Sequence, residues 1–498
     1  MKKIWFLFSV LNIGIITINS AFAQTVLSLQ DCRNLAIANN KQLKISEENI
    51  KKASEENKAA FTQYLPDFSL TGAYIYNQKK TSLLGEDKFL PIGTIMPDGS
   101  FGFTQTQINN SWTTIGGNLV PLDKDGNPFD PSLNPDKILW KEHTIVPKSN
   151  FEMDIHNVFT GNVSVVQPIF MGGKISAYNK ITRYAEDLAK TMNQTDVQDV
   201  ILKVDVAYWQ MVSLAGKYDL SKNYVNMLKQ MDKDMQAMIT EGIATRADGL
   251  SVKVKLNEAE MTLVKVENGM QLSRMLLAQL CGLPIDEQIV AKDEELMTLR
   301  NTNYSLGYGV DEAFANRPEL KSLDLAAKIY KKKESIVFAD MLPTVALIGN
   351  YTVSNPNSFN GFQKKFAGSW NVGIMISIPI FHFGENKYKL RAAQAETRIK
   401  QLEFDEAKEK IELQVNQAKF KLKEANKKLI AANKNKESAE ENLRYANLGF
   451  KEGVISTLNV MEAQTAWYKA KSEVIDAEID VRLGETELEK ATGELNKN

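Results

Sequence analysis

Few residues of this chain have the type and spacing for covalent or metal chemistry. The histidines are His143, His156 and His382, and the cysteines are Cys32 and Cys281. None belongs to an H-E-x-x-H, a G-x-S-x-G or a phosphate-binding glycine loop. Asp123, Asp125 and Asn127 have a calcium-loop look, but no bidentate carboxylate follows at the required place, and turn formation explains them better. Catalysis, a resident metal and a cofactor are therefore not expected. Two cysteines are too few to build a fold on disulfides. In an oxidising compartment they either bridge or stay as buried thiols, the latter being the plainer reading.

A different chemistry, that of ending and restarting a helix, is written twice. Glu241-Gly242-Ile-Ala-Thr245-Arg246-Ala-Asp248 matches Glu452-Gly453-Val-Ile-Ser456-Thr-Leu-Asn459. Glycine suits the left-handed residue that closes a helix, and Thr245 or Ser456 caps the next one. Asp248, three residues after Thr245, completes a capping-box pattern.

Long helices must flank these phrases. Ile411, Val415, Ala418, Leu422, Ala425, Leu429 and Ala432 keep 3-4 spacing, which resumes after a miss at Lys436 and runs to Phe450. Val460 through Leu495 continue it, and Val197, Ile201, Val204, Tyr208 and Met211 do the same earlier in the chain. Sustained heptads mean coiled-coil packing. A helix from Ile175 to Thr240 would be roughly 95 Å long at 1.5 Å per residue.

The chain also repeats itself. Leu65-Pro66 is echoed by Leu342-Pro343 and Ala38-Asn39-Asn40 by Ala315-Asn316-Arg317, both at an offset of 277 residues. Downstream the offset is 211, for Pro168 and Pro379, Gly173 and Gly384, and the two Glu-Gly phrases. The difference is a 66-residue insertion in the first half. Each half reads as a helical stretch (28–63; 309–340), two alternating strands (about 67–77 and 157–170; about 343–353 and 368–381), and a long helical hairpin (about 175–281; about 385–495). On the strands Phe68, Leu70, Tyr74 and Tyr76 alternate with Ser69 and Thr71, and Trp370, Val372, Ile374 and Ile376 with Asn371 and Ser377. That is the period of a lipid-facing barrel strand, and equally of a half-buried soluble hairpin.

The ends and the charge narrow the setting. Residues 1–23 read as a secretory signal peptide: Lys2 and Lys3, an apolar run, then Ala21-Phe22-Ala23. Sixty basic residues against 61 acidic ones leave no electrostatic footprint for nucleic acid. No later stretch is apolar enough for a membrane helix, so any membrane residence requires a closed β-barrel. Four strands cannot close one alone, because the smallest barrels have about eight. Rotational symmetry would supply the rest, a trimer giving twelve strands.

With its duplication, its paired Leu-Pro and Pro-Ile-Phe strand borders and its two G-x-x-[ST]-x-x-[DN] tips, the mature chain resembles the TolC-type outer-membrane efflux proteins. The resemblance implies an α+β membrane protein. It would be a homotrimer whose twelve-stranded β-barrel lies in outer-membrane lipid and continues as an α-helical coiled-coil barrel across the periplasm. It implies two structural repeats, 24–300 and 301–498, with the insertion at about 77–156 facing the exterior. The function implied is a passive exit duct for a tripartite efflux pump or a type I secretion system. Its partners would be a periplasmic adaptor (membrane fusion) protein and an inner-membrane transporter of RND or ABC type. The periplasmic gate would fall on Asp248, Asn459, Glu462 and Arg246, with Asn459 uncharged where the family pattern is acidic. Adaptor docking would fall on Gly242, Thr245, Gly453 and Ser456. A coiled-coil structural or adhesive envelope protein is the alternative, and the glycines that break the heptads into antiparallel hairpins argue against it.

Overall fold

A computed structural model describes residues 25–91, 93–123, 125–130, 132–133, 143–294 and 309–495. The expected signal peptide and Trp140, expected to order the insertion or sit near the membrane surface, lie outside them. The chain divides into a helical unit (described residues up to Phe61, Gly173–Asp340 and from Phe381) and a strand unit (Thr62–Gly172 and Met341–Ile380).

The helical unit is built from β1 (Thr25–Leu27), α1 (Leu29–Asn39), α2 (Lys41–Thr62), α4 (Lys174–Thr240), α5 (Arg246–Cys281), β12 (Ile289–Ala291), α6 (Val310–Asn316), α7 (Pro318–Ala339), α8 (Glu385–Lys451) and α9 (Thr457–Thr492). Helices α4 and α8 have 67 residues each, and α5 and α9 have 36. Each 67-residue helix packs antiparallel on its 36-residue partner, and α4 also packs on α9. Glycines α-left at Gly173 and Gly384 (φ 84° in both) precede the long helices. At Gly484 a Cβ would stand 3.4 Å from the Leu422 backbone, so α8 and α9 approach closely there.

The helical stretches expected at 28–63 and 309–340 are each broken. Pro318 lacks an N–H and forces Arg317 into extended backbone, ending α6. Asn40 is extended too, its side chain accepting from the Gln42 N–H (2.9 Å) and donating to the Leu280 carbonyl (3.1 Å). The first bond makes Asn40 the cap from which α2 restarts, and the second ties the break to the end of α5. Beside this break, β1 pairs parallel with β12. The core below them gathers Leu27, Cys32, Ala36, Val204, Tyr208, Leu277 and Ile289. Fully buried Asp205 accepts from Arg33 at 2.8 and 2.5 Å, which ties α1 to α4.

The strand unit centres on an antiparallel four-stranded sheet, ordered β14 (Ala367–Ser377), β13 (Thr344–Asn355), β11 (Asn157–Met171), β2 (Asp67–Tyr76). Residues directly opposite one another share a face. Through the observed register, Phe68, Leu70 and Tyr74 of β2 stand beside Val165, Val163 and Phe159, and Val345, Leu347 and Tyr351 of β13 beside Ile376, Ile374 and Trp370. The middle of the other face is polar and bonded across strands: Ser69 to Ser164 (2.5 Å), Thr352 to Asn162 (2.9 Å) and Asn350 to Asn371 (3.1 Å), with Ile75 and Val158 towards one end and Val166, Ile348 and Met375 towards the other. Every residue of β2 is exposed. Neither β2 nor β14 has a second strand partner among the described residues.

The last strand stops at Ser377, short of the expected 381, because Pro379 cannot donate to a ladder. β11 passes Pro168 with a bulge before Phe170. The insertion is more than a loop. It holds β3 (Thr81–Ser82), β4 (Lys88–Pro91), β5 (Thr94–Ile95), β6 (Phe101–Gly102), α3 (Gln105–Ser111), β7 (Trp112–Ile115), β8 (Asn118–Pro121), β9 (His143–Val146) and β10 (Glu152–Met153), paired as short two-stranded pieces. Asp154 joins it to the β13–β14 connection, bonded to Lys364 (2.5 Å) and to His156 Nδ1 (2.7 Å). Those two partners hold its carboxyl well below the usual carboxylate range.

Candidate functional site at the hairpin tips

The two tips are built alike. Gly242 and Gly453 have φ of 75° and 74°. After the first long helix the Ile243 N–H donates to the Met238 carbonyl (2.8 Å) and the Gly242 N–H to the Ile239 carbonyl (3.2 Å). After the second, Val454 donates to Gly449 (2.9 Å) and Gly453 to Phe450 (3.0 Å). Both are the paired closure in which a left-handed residue satisfies carbonyls orphaned at a helix end.

The restarts differ. Thr245 Oγ1 accepts from the Asp248 N–H (3.2 Å), and Asp248 Oδ2 accepts from the Thr245 N–H (3.0 Å) and hydroxyl (2.6 Å). The Thr245 hydroxyl and N–H hold the Asp248 carboxyl below its ordinary range, so it keeps its charge into mildly acidic solution. At the second tip Ser456 Oγ accepts from the Asn459 N–H at 3.4 Å. An amide at this place returns no bond, among the described residues, to close a box.

Both tips rest on one apolar core. Met231, Met235 and Val252 from α4 and α5 cluster with Leu443, Ala446, Val460, Met461 and Ala463 from α8 and α9. Ile239, Ala244, Phe450 and Ile455 pack around them. At Gly249 a Cβ would fall 2.7 Å from Ile239 Cδ1, so this glycine lets the first hairpin close tightly. Further along, Tyr224 of α4 stacks on Tyr468 of α9 at 4.7 Å, with hydroxyl bonds to Thr465 (3.1 Å) and from Tyr468 to Ser221 (3.0 Å). The structure therefore brings the candidate residues of both hairpins to one end of the helical unit.

Arg246, Asn459 and Glu462 are exposed there, and Asp248 is half-buried. Asn459 and Glu462, three apart, share an exposed strip of α9 flanked by the buried Val460, Met461 and Ala463. Among the described residues neither Arg246 nor Glu462 forms an ion pair. The sequence reading missed Ile243 and Val454, which follow the tip glycines and are 71% and 79% exposed. Their signal was an apolar residue in the middle of a polar turn.

Histidine and aspartate candidates are accounted for by turns. Asp123 Oδ1 accepts from the Asp125 and Asn127 N–H groups. The His382 carbonyl accepts from the Glu385 N–H before α8. Among the described residues no cluster of three or more His, Cys, Asp or Glu is placed to hold a metal ion, and no helix is long and apolar enough to cross a membrane.

A family model described as outer membrane efflux protein matches residues 147–283 and 309–494, which takes in both hairpins, β11, β13 and β14. The chain belongs to the outer membrane efflux protein family. Among relatives, nodulation protein T of Rhizobium leguminosarum bv. trifolii is 22% identical over 67% of this chain and 72% of its own length. The outer membrane efflux protein BepC of Brucella suis biovar 1 is 20% identical over 77% and 86%. Among solved structures, the Campylobacter jejuni CmeC outer membrane channel superimposes with a TM-score of 0.70 over 99% of this chain and 94% of that one, at 13% identity. At such identity the likeness is one of fold, and it confirms the α+β class. Membership makes this an outer-membrane efflux channel component, in a family of ducts rather than enzymes.

Proposed function

We propose that the chain forms a passive homotrimeric exit duct, a twelve-stranded β-barrel in the outer membrane continued by a coiled-coil barrel in the periplasm. The observation that carries this reading is the four-stranded sheet. One face carries Phe68, Leu70, Val163, Tyr351, Ile374 and Trp370 side by side, and the middle of the other carries polar side chains bonded across strands. Such a sheet suits lipid outside and water inside. Two free edges cannot persist in lipid, where each unpaired N–H or C=O costs several kcal/mol. Closure by identical neighbours removes both.

In this reading residues 1–23 direct export, 24–300 and 301–498 are two structural repeats, and the insertion at about 77–156 faces the exterior. The hairpin tips form the periplasmic aperture. Asp248, Glu462 and Arg246 supply charge around it and Asn459 a neutral position, while Gly242, Thr245, Gly453 and Ser456 shape the turns that meet a periplasmic adaptor. Energy comes from an inner-membrane transporter of RND or ABC type, within a tripartite efflux pump or a type I secretion system.

The test is reconstitution in a planar bilayer beside a mass measurement in detergent. A three-chain particle with discrete channel currents is expected. A monomer, or no current even after Asp248 and Glu462 are replaced by alanine, would refute the duct.

A further inference from the structure

Cys32 lies in the second turn of α1 and Cys281 is the last residue of α5; both are fully buried and both thiols are free in the structure. The Cys281 thiol donates to the Cys32 carbonyl at 3.6 Å across 249 residues of chain. The Cys281 sulfur beside it, and burial, hold the Cys32 thiol well above its ordinary range.

Several independent attachments fix this juxtaposition. β1 pairs with β12 on one side, and Asn40 bonds the Leu280 carbonyl on the other. Gly282 (φ 71°) brings its backbone so close to Asn39 that an added Cβ would meet the Asn39 Cβ at 2.5 Å. Leu277, Ala278 and Ala36 seal the remaining sides. The two cysteines are therefore held against each other inside this core.

We propose that Cys32 and Cys281 are an oxidative modification site, closing to a disulfide that staples the N-terminal helix to the base of the first hairpin. The oxidant is an external disulfide, carried by a protein or a small molecule, in the compartment to which the duct reading assigns the helical unit. The thiolate of one cysteine attacks that disulfide, forming a mixed disulfide and releasing one thiol. The thiolate of the other then attacks the cysteine sulfur of that mixed disulfide and releases the second thiol. Two electrons and two protons pass from the cysteine pair to the external disulfide, which leaves as two thiols. Because both thiols are fully buried once α1 is docked, out of reach of an external disulfide, exchange takes place as the chain folds.

The experiment uses full-length protein taken from the outer membrane, denatured in N-ethylmaleimide without reductant and weighed intact. No maleimide adduct is expected, rising to two when reductant precedes the label, and proteolysis should yield one fragment joining the Cys32 and Cys281 peptides. Cys32→Ser should carry one adduct without reductant. Two adducts on unreduced wild-type protein would overturn the inference, as would a chain in which each cysteine carries a separate small-molecule thiol. Currents measured on the same preparation keep the two readings apart. Two adducts on a conducting trimer sink the bridge alone, whereas a linked fragment from a non-conducting chain sinks the duct and leaves the bridge standing.

Discussion

Replacing Asp248 by asparagine and by alanine separates the charge of this residue from its hold on the first tip. Oδ2 receives two hydrogen bonds from Thr245, at 3.0 and 2.6 Å. Asparagine discards the charge but keeps an oxygen able to accept from the Thr245 hydroxyl and N–H, a bond that Asn459 does not return to Ser456 at the second tip, whereas alanine discards both. Alanine leaves the Thr245 N-cap in place and loses its N3 partner in the capping box, which should raise local opening by about fivefold at most. Asparagine loses only the interaction with the helix dipole, an effect under about twofold. Hydrogen exchange of the amides from Thr245 to Gly249 should accelerate about fivefold in the alanine variant and little in the asparagine variant. Single-channel conductance in a planar bilayer should behave differently, rising by the same factor in both, because both remove one negative charge per chain from the aperture. If asparagine leaves conductance at the wild-type value while alanine alters it, the residue acts through turn geometry alone and the electrostatic gate is wrong.

Four further outcomes follow from the geometry. Ile374→Arg, on the apolar face, should cost about 2–4 kcal/mol and abolish membrane assembly, while Asn371→Arg on the polar face should assemble and alter ion selectivity; heat-modifiable gel migration reads the first and reversal potentials the second. Asp205→Ala strands Arg33 beside a buried cavity and should lower stability by about 3–5 kcal/mol, seen as a lower unfolding midpoint, with Asp205→Asn milder. Burial raises the Glu489 carboxyl, against the opposing pull of Arg33 and with Asp205, Glu485 and Glu494 nearby. Its ionised form therefore weakens the fold as pH rises from the ordinary glutamate value through the raised folded one, so Glu489→Gln should raise the midpoint at neutral pH and leave it unchanged at about pH 3, below the ordinary range. Gly453→Ala places a side chain on a left-handed residue (φ 74°) and should cost about 1 kcal/mol, measured as faster exchange at Val454 and Ile455, with Gly453→Asn recovering part of it.

The sequence made local physics legible and left distant pairing unread. Period-two alternation at Phe68 to Tyr76 and at Trp370 to Ile376 sorted apolar from polar residues correctly, because a strand's faces follow from spacing alone. Which residues then stood side by side depended on register, which alternation does not encode. The tip phrases carried their own turn and capping chemistry, so Gly242, Thr245 and Asp248 could be assigned geometry before any fold was known. Strand ends were harder: apolar residues run on from Ile376 to Phe381, and only the missing donor of Pro379 stops the ladder. The break at Asn40 was half hidden: the Gln42 N–H it caps is local, but its other partner, the Leu280 carbonyl, lies 240 residues away. For the same reason nothing near Arg33 announced Asp205, and two well-separated cysteines gave no sign that they touch. Exposed Ile243 and Val454 read as turn filler until their surroundings were known.

The unsealed margins of the sheet also bear on how the protein is made. A solitary copy presents β2 and β14, ten and eleven residues long, with backbone groups ready to template any passing strand. Alongside them lies a greasy surface that water does not wet. Under the trimeric duct proposed above, such a copy is as prepared to aggregate as to assemble, so its lifetime before bilayer insertion would set the yield. Synthesis that outruns escort and insertion should therefore fill the periplasm with insoluble chains rather than with idle monomers.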